Sequence, residues 1–79
     1  MPSFDPSKPE VLEWVASLKP EAELVVRMAM RQVFPRCRGD HAWSARIDAL
    51  MAELEPDEDM LAHLLREARK TAKMIRETV

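Results

Sequence analysis

The sequence predicts an all-α fold, a small compact bundle of four helices with a long C-terminal helix. The composition is dominated by good helix formers, with one glycine and no tyrosine among 79 residues. Prolines at positions 20, 35 and 56 divide the chain into helix-length segments. Within the segments, apolar residues recur three and four positions apart, as one face of a helix requires. The predicted helices cover 8–18, 20–34, 41–54 and 57–77.

The length suits a single helical domain over 1–79, in which residues 1–7 are expected to form a flexible arm. An apolar content of 47% argues against disorder. At this size one core rarely supplies more than about 3–5 kcal/mol without a disulfide, a metal or a second subunit. A single cysteine excludes an internal disulfide, so the sequence favours an oligomer.

The first two predicted helices are separated by Pro20. Ser7 and Glu10 have the spacing of a capping box for the first helix. Pro20 suits the first turn of the second helix, where its missing N–H is not needed. Glu23 lies in that same turn, near the positive end of the helix dipole. The segment 24–34 is apolar on several sides, which predicts that the second helix is the centre of the bundle.

The third predicted helix follows a loop over 35–40, which contains the only glycine. Asp40 is a plausible N-cap for this helix. Its expected buried face follows the spacing of an amphipathic helix. The residues of that face are Trp43, Ile47, Leu50, Met51 and Leu54.

The fourth predicted helix has acidic residues in its first turn and basic residues toward its end, as the helix dipole favours. It spans about 30 Å, against about 16–22 Å for the others. We therefore expect its last two turns to project beyond the bundle and to dock on a partner, most simply a second copy. The alternative is that the helix folds over its own bundle. Its apolar residues form a heptad seam of Leu61, Leu65, Ala68, Ala72, Ile75 and Val79.

Charge is unevenly distributed. Residues 48–59 hold six acids and no base, whereas residues 60–79 hold five bases and two acids. The basic side of the last helix suits an acidic neighbour such as the run 53–59, nucleic-acid phosphates or anionic lipid, and otherwise it is a solvated face. The predicted partner-binding residues are Arg66, Arg69, Lys70, Ala72, Lys73, Ile75, Arg76 and Val79.

Cys37 lies between Arg36 and Arg38, and positive neighbours favour the thiolate, so it is a candidate reactive thiol. The alternative is a simple buried cysteine. Cys37, Asp40 and His41 lack the paired spacing of a structural zinc site, and no metal or cofactor is predicted. One glycine leaves no room for a Gly-rich phosphate loop, and neither catalytic residues nor a small-molecule substrate are predicted.

The sequence therefore predicts a non-enzymatic protein-interaction module that binds a partner protein or itself through its C-terminal helix. The alternative is a small helical nucleic-acid-binding regulator. It is weaker, because the connection over 35–40 is long for a helix-turn-helix and the pI of about 5.6 is low. No apolar run suits a signal peptide or a membrane span, so a cytoplasmic location is predicted.

Overall fold

The computed structural model describes residues 5–78, and these form five helices. The all-α bundle is confirmed, and each of the four predicted helices begins and ends within one residue of the observed one. The difference is the segment predicted as a loop, which contains one further helical turn. The helices are α1 (Pro9–Ser17), α2 (Pro20–Val33), α3 (Pro35–Arg38), α4 (His41–Leu54) and α5 (Glu58–Thr78).

The chain enters α1 through a turn. The Ser7 N–H donates to Asp5 Oδ1 at 2.9 Å, and the Lys8 N–H donates to the Asp5 carbonyl at 3.1 Å. The predicted capping box is wrong, since Lys8 occupies the N-cap and no side chain caps the helix. Pro9 at the first helical position has no N–H that needs a cap. Residues 1–4, which make up most of the predicted arm, lie outside the described residues.

The helix α2 is the centre of the bundle, as predicted, because each of the other four packs against it. Leu24, Ala29 and Met30 on this helix have no exposed surface. Against α2, α4 runs antiparallel, since Trp43 and Arg46 contact residues 27 and 23 respectively. By contrast, α5 runs parallel to α2, because residues from the N-terminal half of each helix, 21–26 and 63–67, line one groove.

The predicted buried face of α4 is confirmed. Trp43, Ile47 and Leu50 are buried, and Met51 and Leu54 pack against the core while partly exposed. Asp40 caps the helix as expected, its Oδ1 accepting from the N–H groups of residues 42 and 43 at 2.9 and 3.2 Å. No Cα atom of α4 comes within 8 Å of one in α5, so both helices pack on α2 and not on each other.

The connection from α4 to α5 begins at Glu55, whose φ of 44° and ψ of 53° lie in the left-handed region. Its N–H donates to the Met51 carbonyl at 2.9 Å and ends the helix. An L-residue in this conformation costs about 1–2 kcal/mol, which is why glycine is common at such helix ends. The turn lets the short segment 55–57 redirect the chain into α5.

The prediction that the end of α5 projects beyond the bundle is wrong. Ala68, Ala72 and Ile75 have no exposed surface, because they pack within the chain's own core. The buried part of α5, from Leu64 to Ile75, is about 17 Å long and fits on α2, which is about 21 Å long. The total length of α5 is therefore a poor guide to how much of it needs a partner.

The predicted seam is also displaced by one residue near its start. Leu64 is buried, whereas Leu65 is 41% exposed. A heptad pattern drifts by about 20° per repeat on a straight helix, and a helix that packs on one neighbour buries one straight stripe. That stripe passes through Leu64 and leaves Leu65 at its edge.

Within residues 5–78, no helix has the length and apolarity that crossing a membrane requires.

Candidate protein-interaction surface on the last helix

The solvent side of α5 carries five cationic residues. At about 100° per residue they occupy an arc of about 120°, roughly opposite the buried stripe through Leu64, Ala68 and Ile75. All five side chains are exposed, so the helix is apolar toward α2 and cationic toward water. This surface, called the basic face below, consists of Arg66, Arg69, Lys70, Lys73 and Arg76.

Most of the basic face has no counter-ion within the part of the chain that the structure describes. Lys70 is the exception, with Nζ 3.5 Å from Glu67 Oε1, and its side chain is 73% exposed. An exposed pair of this kind contributes little and is readily exchanged. Arg66, Arg69, Lys73 and Arg76 make no ion pair with residues 5–78. Their charges are therefore available to another molecule.

The apolar residues predicted to bind a partner lie elsewhere. Ala72 and Ile75 are buried under α2 and present nothing to a second molecule, which corrects their assignment to an exposed seam. Val79 lies outside the described residues. Two other apolar side chains border the basic face instead, Leu65 on one side and Met74 on the other, 41% and 63% exposed. Charged groups around a few apolar contacts are typical of a protein-binding surface.

An acidic region extends from the second half of α4, through the connection, into the first turn of α5. All six of its acids are exposed, and none forms an ion pair within the described part of the chain. Asp57 also caps α5, its Oδ1 accepting from the Met60 N–H at 2.8 Å. We call this region the acidic segment. Its members are Asp48, Glu53, Glu55, Asp57, Glu58 and Asp59.

A groove of about 380 Å³ runs between the N-terminal halves of α2 and α5. Its apolar lining includes Val25, Val26 and Leu64, and its polar lining includes Lys19 and His63. His63 is exposed. The groove lies beside the Lys70 edge of the basic face, so an apolar side chain of a molecule bound there has a place to enter.

A buried ion cluster joins α2 to α4, and the sequence did not reveal it. Glu23 is 1% exposed, and its Oε2 accepts from Arg27 Nε at 2.7 Å and from Arg46 Nε at 2.8 Å. Arg46 Nη2 completes a two-point contact with Oε1 at 2.9 Å. The hydrogen bond from Arg46, followed by that from Arg27, holds the pKa of Glu23 below its ordinary value despite the opposing effect of burial.

Trp43 covers this cluster. The Arg27 guanidinium lies over its ring, 4.6 Å from the centroid, and the indole N–H donates to the Arg27 carbonyl at 3.0 Å. No buried side-chain nitrogen or oxygen among the described residues lacks a hydrogen-bond partner, so the cluster is satisfied internally and fixes α4 on α2. Only the Glu23–Arg27 spacing of four in an apolar helix hinted at it.

The position of Cys37 argues against the reactive thiol that the sequence offered as a candidate. It is 1% exposed, because the turn of α3 directs it into the core instead of into a loop. Burial, followed by the charge of Asp40, raises its pKa to about 11, and the nearby arginines lower it too little to compensate. Among residues 5–78, no three side chains of the metal-binding types come together.

Comparison with protein-family models, with curated proteins and with solved structures finds no match for this chain. Its function is inferred from its own residues.

Proposed function

We propose that this protein is a non-enzymatic interaction module that binds an acidic segment of another protein chain through the basic face of α5. The observation that carries the proposal is the four cations, Arg66, Arg69, Lys73 and Arg76, that make no ion pair within residues 5–78 while lying on one side of one helix. Opposite charge on a partner would steer it to this side and fix its orientation. A single, buried cysteine is compatible with activity in the reducing cytoplasm.

The nucleic-acid function is less well supported. If the connection over 35–40 served as the turn of a helix-turn-helix, α4 would be the helix that contacts the bases. In α4, however, Trp43 and Ile47 are buried and Arg46 is bound to Glu23. That leaves few donors for base edges. The basic face of α5 itself suits phosphates as well as carboxylates, but the exposed acidic segment, which ends about two turns before Arg66, would repel a long polyanion. A direct competition between the two classes of probe decides between them.

The test measures the binding of a fluorescent oligoglutamate peptide at low salt, with the fluorescence anisotropy of the peptide as the signal. We expect the peptide to bind the wild-type chain and the R69E/K73E variant to bind it at least about tenfold more weakly, since two attractions become repulsions. K8E/R36E is the matched control, because it makes the same charge change on an exposed lysine and arginine outside α5 and outside the groove. Circular dichroism of each variant verifies that the helices remain.

Three outcomes would contradict the proposal. Absence of peptide binding, or an equal loss in the K8E/R36E control, would show that the basic face is not a specific site. Tighter binding of duplex DNA than of the peptide, with a steep salt dependence that R69E/K73E removes, would replace the proposal with the nucleic-acid function.

A further inference from the structure

We infer that the partner of the basic face is a second copy of this chain, bound through an antiparallel pairing of the two α5 helices. The inference deepens the proposed function and rests on it. It starts from the polarity of α5, whose first turn and preceding connection carry the acids Glu55, Asp57, Glu58 and Asp59, whereas the bases of the basic face begin at Arg66. Two such helices attract each other only when their directions are opposed.

One exposed stripe of α5 has the spacing that a helix pair requires. Its residues follow each other at intervals of four, three, four, four and three, along one edge of the basic face. All of them are exposed, so the stripe is not used by the chain's own bundle. The stripe consists of Glu58, Ala62, Leu65, Arg69, Lys73 and Arg76.

The stripe is self-complementary in the antiparallel register that pairs its two ends. Glu58 and Leu65 are seven residues apart, and so are Arg69 and Arg76. An antiparallel pair that places Glu58 opposite Arg76 of the second copy therefore also places Leu65 opposite Arg69 of the second copy. By symmetry each contact occurs twice, so both ends gain an ion pair. In the centre, each Leu65 side chain packs on the aliphatic part of an arginine.

The parallel arrangement is excluded by the same charges. It would place Glu58 against Glu58 of the second copy, and Arg69 and Arg76 against their own equivalents. The antiparallel contact extends over about 27 Å of helix, which falls at the small end of the range for protein interfaces. Leu65 and Ala62 are its main apolar groups, so charge supplies much of the attraction. The expected dimer is therefore weak and sensitive to salt.

The first measurement is sedimentation equilibrium of the full chain over a concentration series. We expect a monomer–dimer equilibrium whose dissociation constant rises about tenfold between about 50 and 500 mM NaCl, since exposed ion pairs are screened over this range.

Charge reversal then tests the register. In E58K and in R76E, each homodimer has two repulsive ends, and we expect self-association to weaken at least tenfold. An equimolar mixture of the two variants restores it, because the mixed dimer has opposite charges at both ends. The double variant E58K/R76E restores it for the same reason. The matched control is K8E, which reverses an exposed charge outside α5 and leaves self-association within about twofold of wild type.

Failure of the mixture and of the double variant to restore association would overturn the antiparallel register. A wild-type chain that stays monomeric throughout the series would overturn the self-pairing, and oligoglutamate binding by that monomer would leave the proposed function intact. A chain that neither self-associates nor binds oligoglutamate would overturn both the self-pairing and the proposed function. Circular dichroism excludes the possibility that a variant fails because α5 has unfolded.

Discussion

Arg46 on α4 forms a two-point ion pair with Glu23 on α2, with Nε 2.8 Å from Oε2 and Nη2 2.9 Å from Oε1. The arginine is half-exposed and the carboxylate is buried, so the pair closes the cluster from the solvent side. Arg27 binds the same Oε2 from within α2. Removing either arginine leaves a buried charge with one cation where it had two.

Replacement of Arg46 by methionine should therefore destabilise the fold. We expect Arg46→Met to lower the free energy of unfolding by about 1–2 kcal/mol, because Glu23 loses two hydrogen bonds while remaining buried. The measurement is urea denaturation. Arg69→Met, which changes an exposed arginine of the basic face, is the control and should stay within about 0.5 kcal/mol of wild type. Equal stability of all three proteins would show that the cluster contributes nothing.

The same carboxylate should make stability depend on acid. The pKa of folded Glu23 lies below its ordinary value of 4.5, chiefly because Arg46 donates hydrogen bonds to it. A group with a lowered pKa contributes stability that is present above the unfolded value and is lost as pH falls through the folded value. We expect the stability advantage of wild type over Glu23→Gln to be constant near pH 7 and to shrink below about pH 4.5. An advantage independent of pH would contradict this assignment.

The register of α5 can be tested with two adjacent leucines. Leu64 is 1% exposed and Leu65 is 41% exposed. Leu64→Ala should cost about 2–4 kcal/mol of unfolding free energy, since it opens a cavity against α2. Leu65→Ala should cost under about 1 kcal/mol in the monomer, at a concentration where self-association is negligible. A reversed order of the two effects would restore the heptad seam that the sequence predicted.

The thiol of Cys37 should be unreactive in the folded chain. Its pKa of about 11 leaves roughly a hundredfold less thiolate at pH 8 than an ordinary cysteine has. We expect a disulfide reagent to modify it at least about a hundredfold more slowly in the native protein than in denaturant. Rapid labelling of the native chain would mean that α3 opens readily. The unfolded chain supplies the control, because it contains the same thiol without burial.

Features determined by neighbours along the chain were predictable from the sequence. Prolines 20, 35 and 56 fix the helix boundaries, since proline has no backbone N–H and cannot donate the hydrogen bond that a helix interior requires. Asp40 was predictable as a cap for the same local reason. The basic face also needs only one helix, because the spacing of its residues places them on one side whatever α5 packs against.

Features that depend on distant segments were not predictable. In the sequence, Glu23 was explained by its place in the first turn of a helix, near the positive end of the helix dipole. Its partner Arg46 lies 23 residues further along the chain, and no local pattern connects the two. The choice between Leu64 and Leu65 depends on where α2 approaches α5, which periodicity leaves open by one residue. The burial of Ile75 depends on how far along α2 the last helix begins. These errors concerned the position of one helix relative to another, whereas the wrong capping box before α1 and the unpredicted turn of α3 were local errors.

The attachment of α5 to α2 alone has a consequence for cooperativity. Because its backbone has no packed neighbour in α4, α5 separates from the rest of residues 5–78 when a single interface opens. We therefore expect two units that unfold with different free energies. One unit consists of the helices before residue 55, and the other is α5. A helix attached through one interface and a short connection is also the element most easily exchanged between two copies, each α5 then completing the other chain's core. Because α5 packs on α2 alone, the fold only weakly determines whether α5 packs on the α2 of its own chain or on that of a second copy.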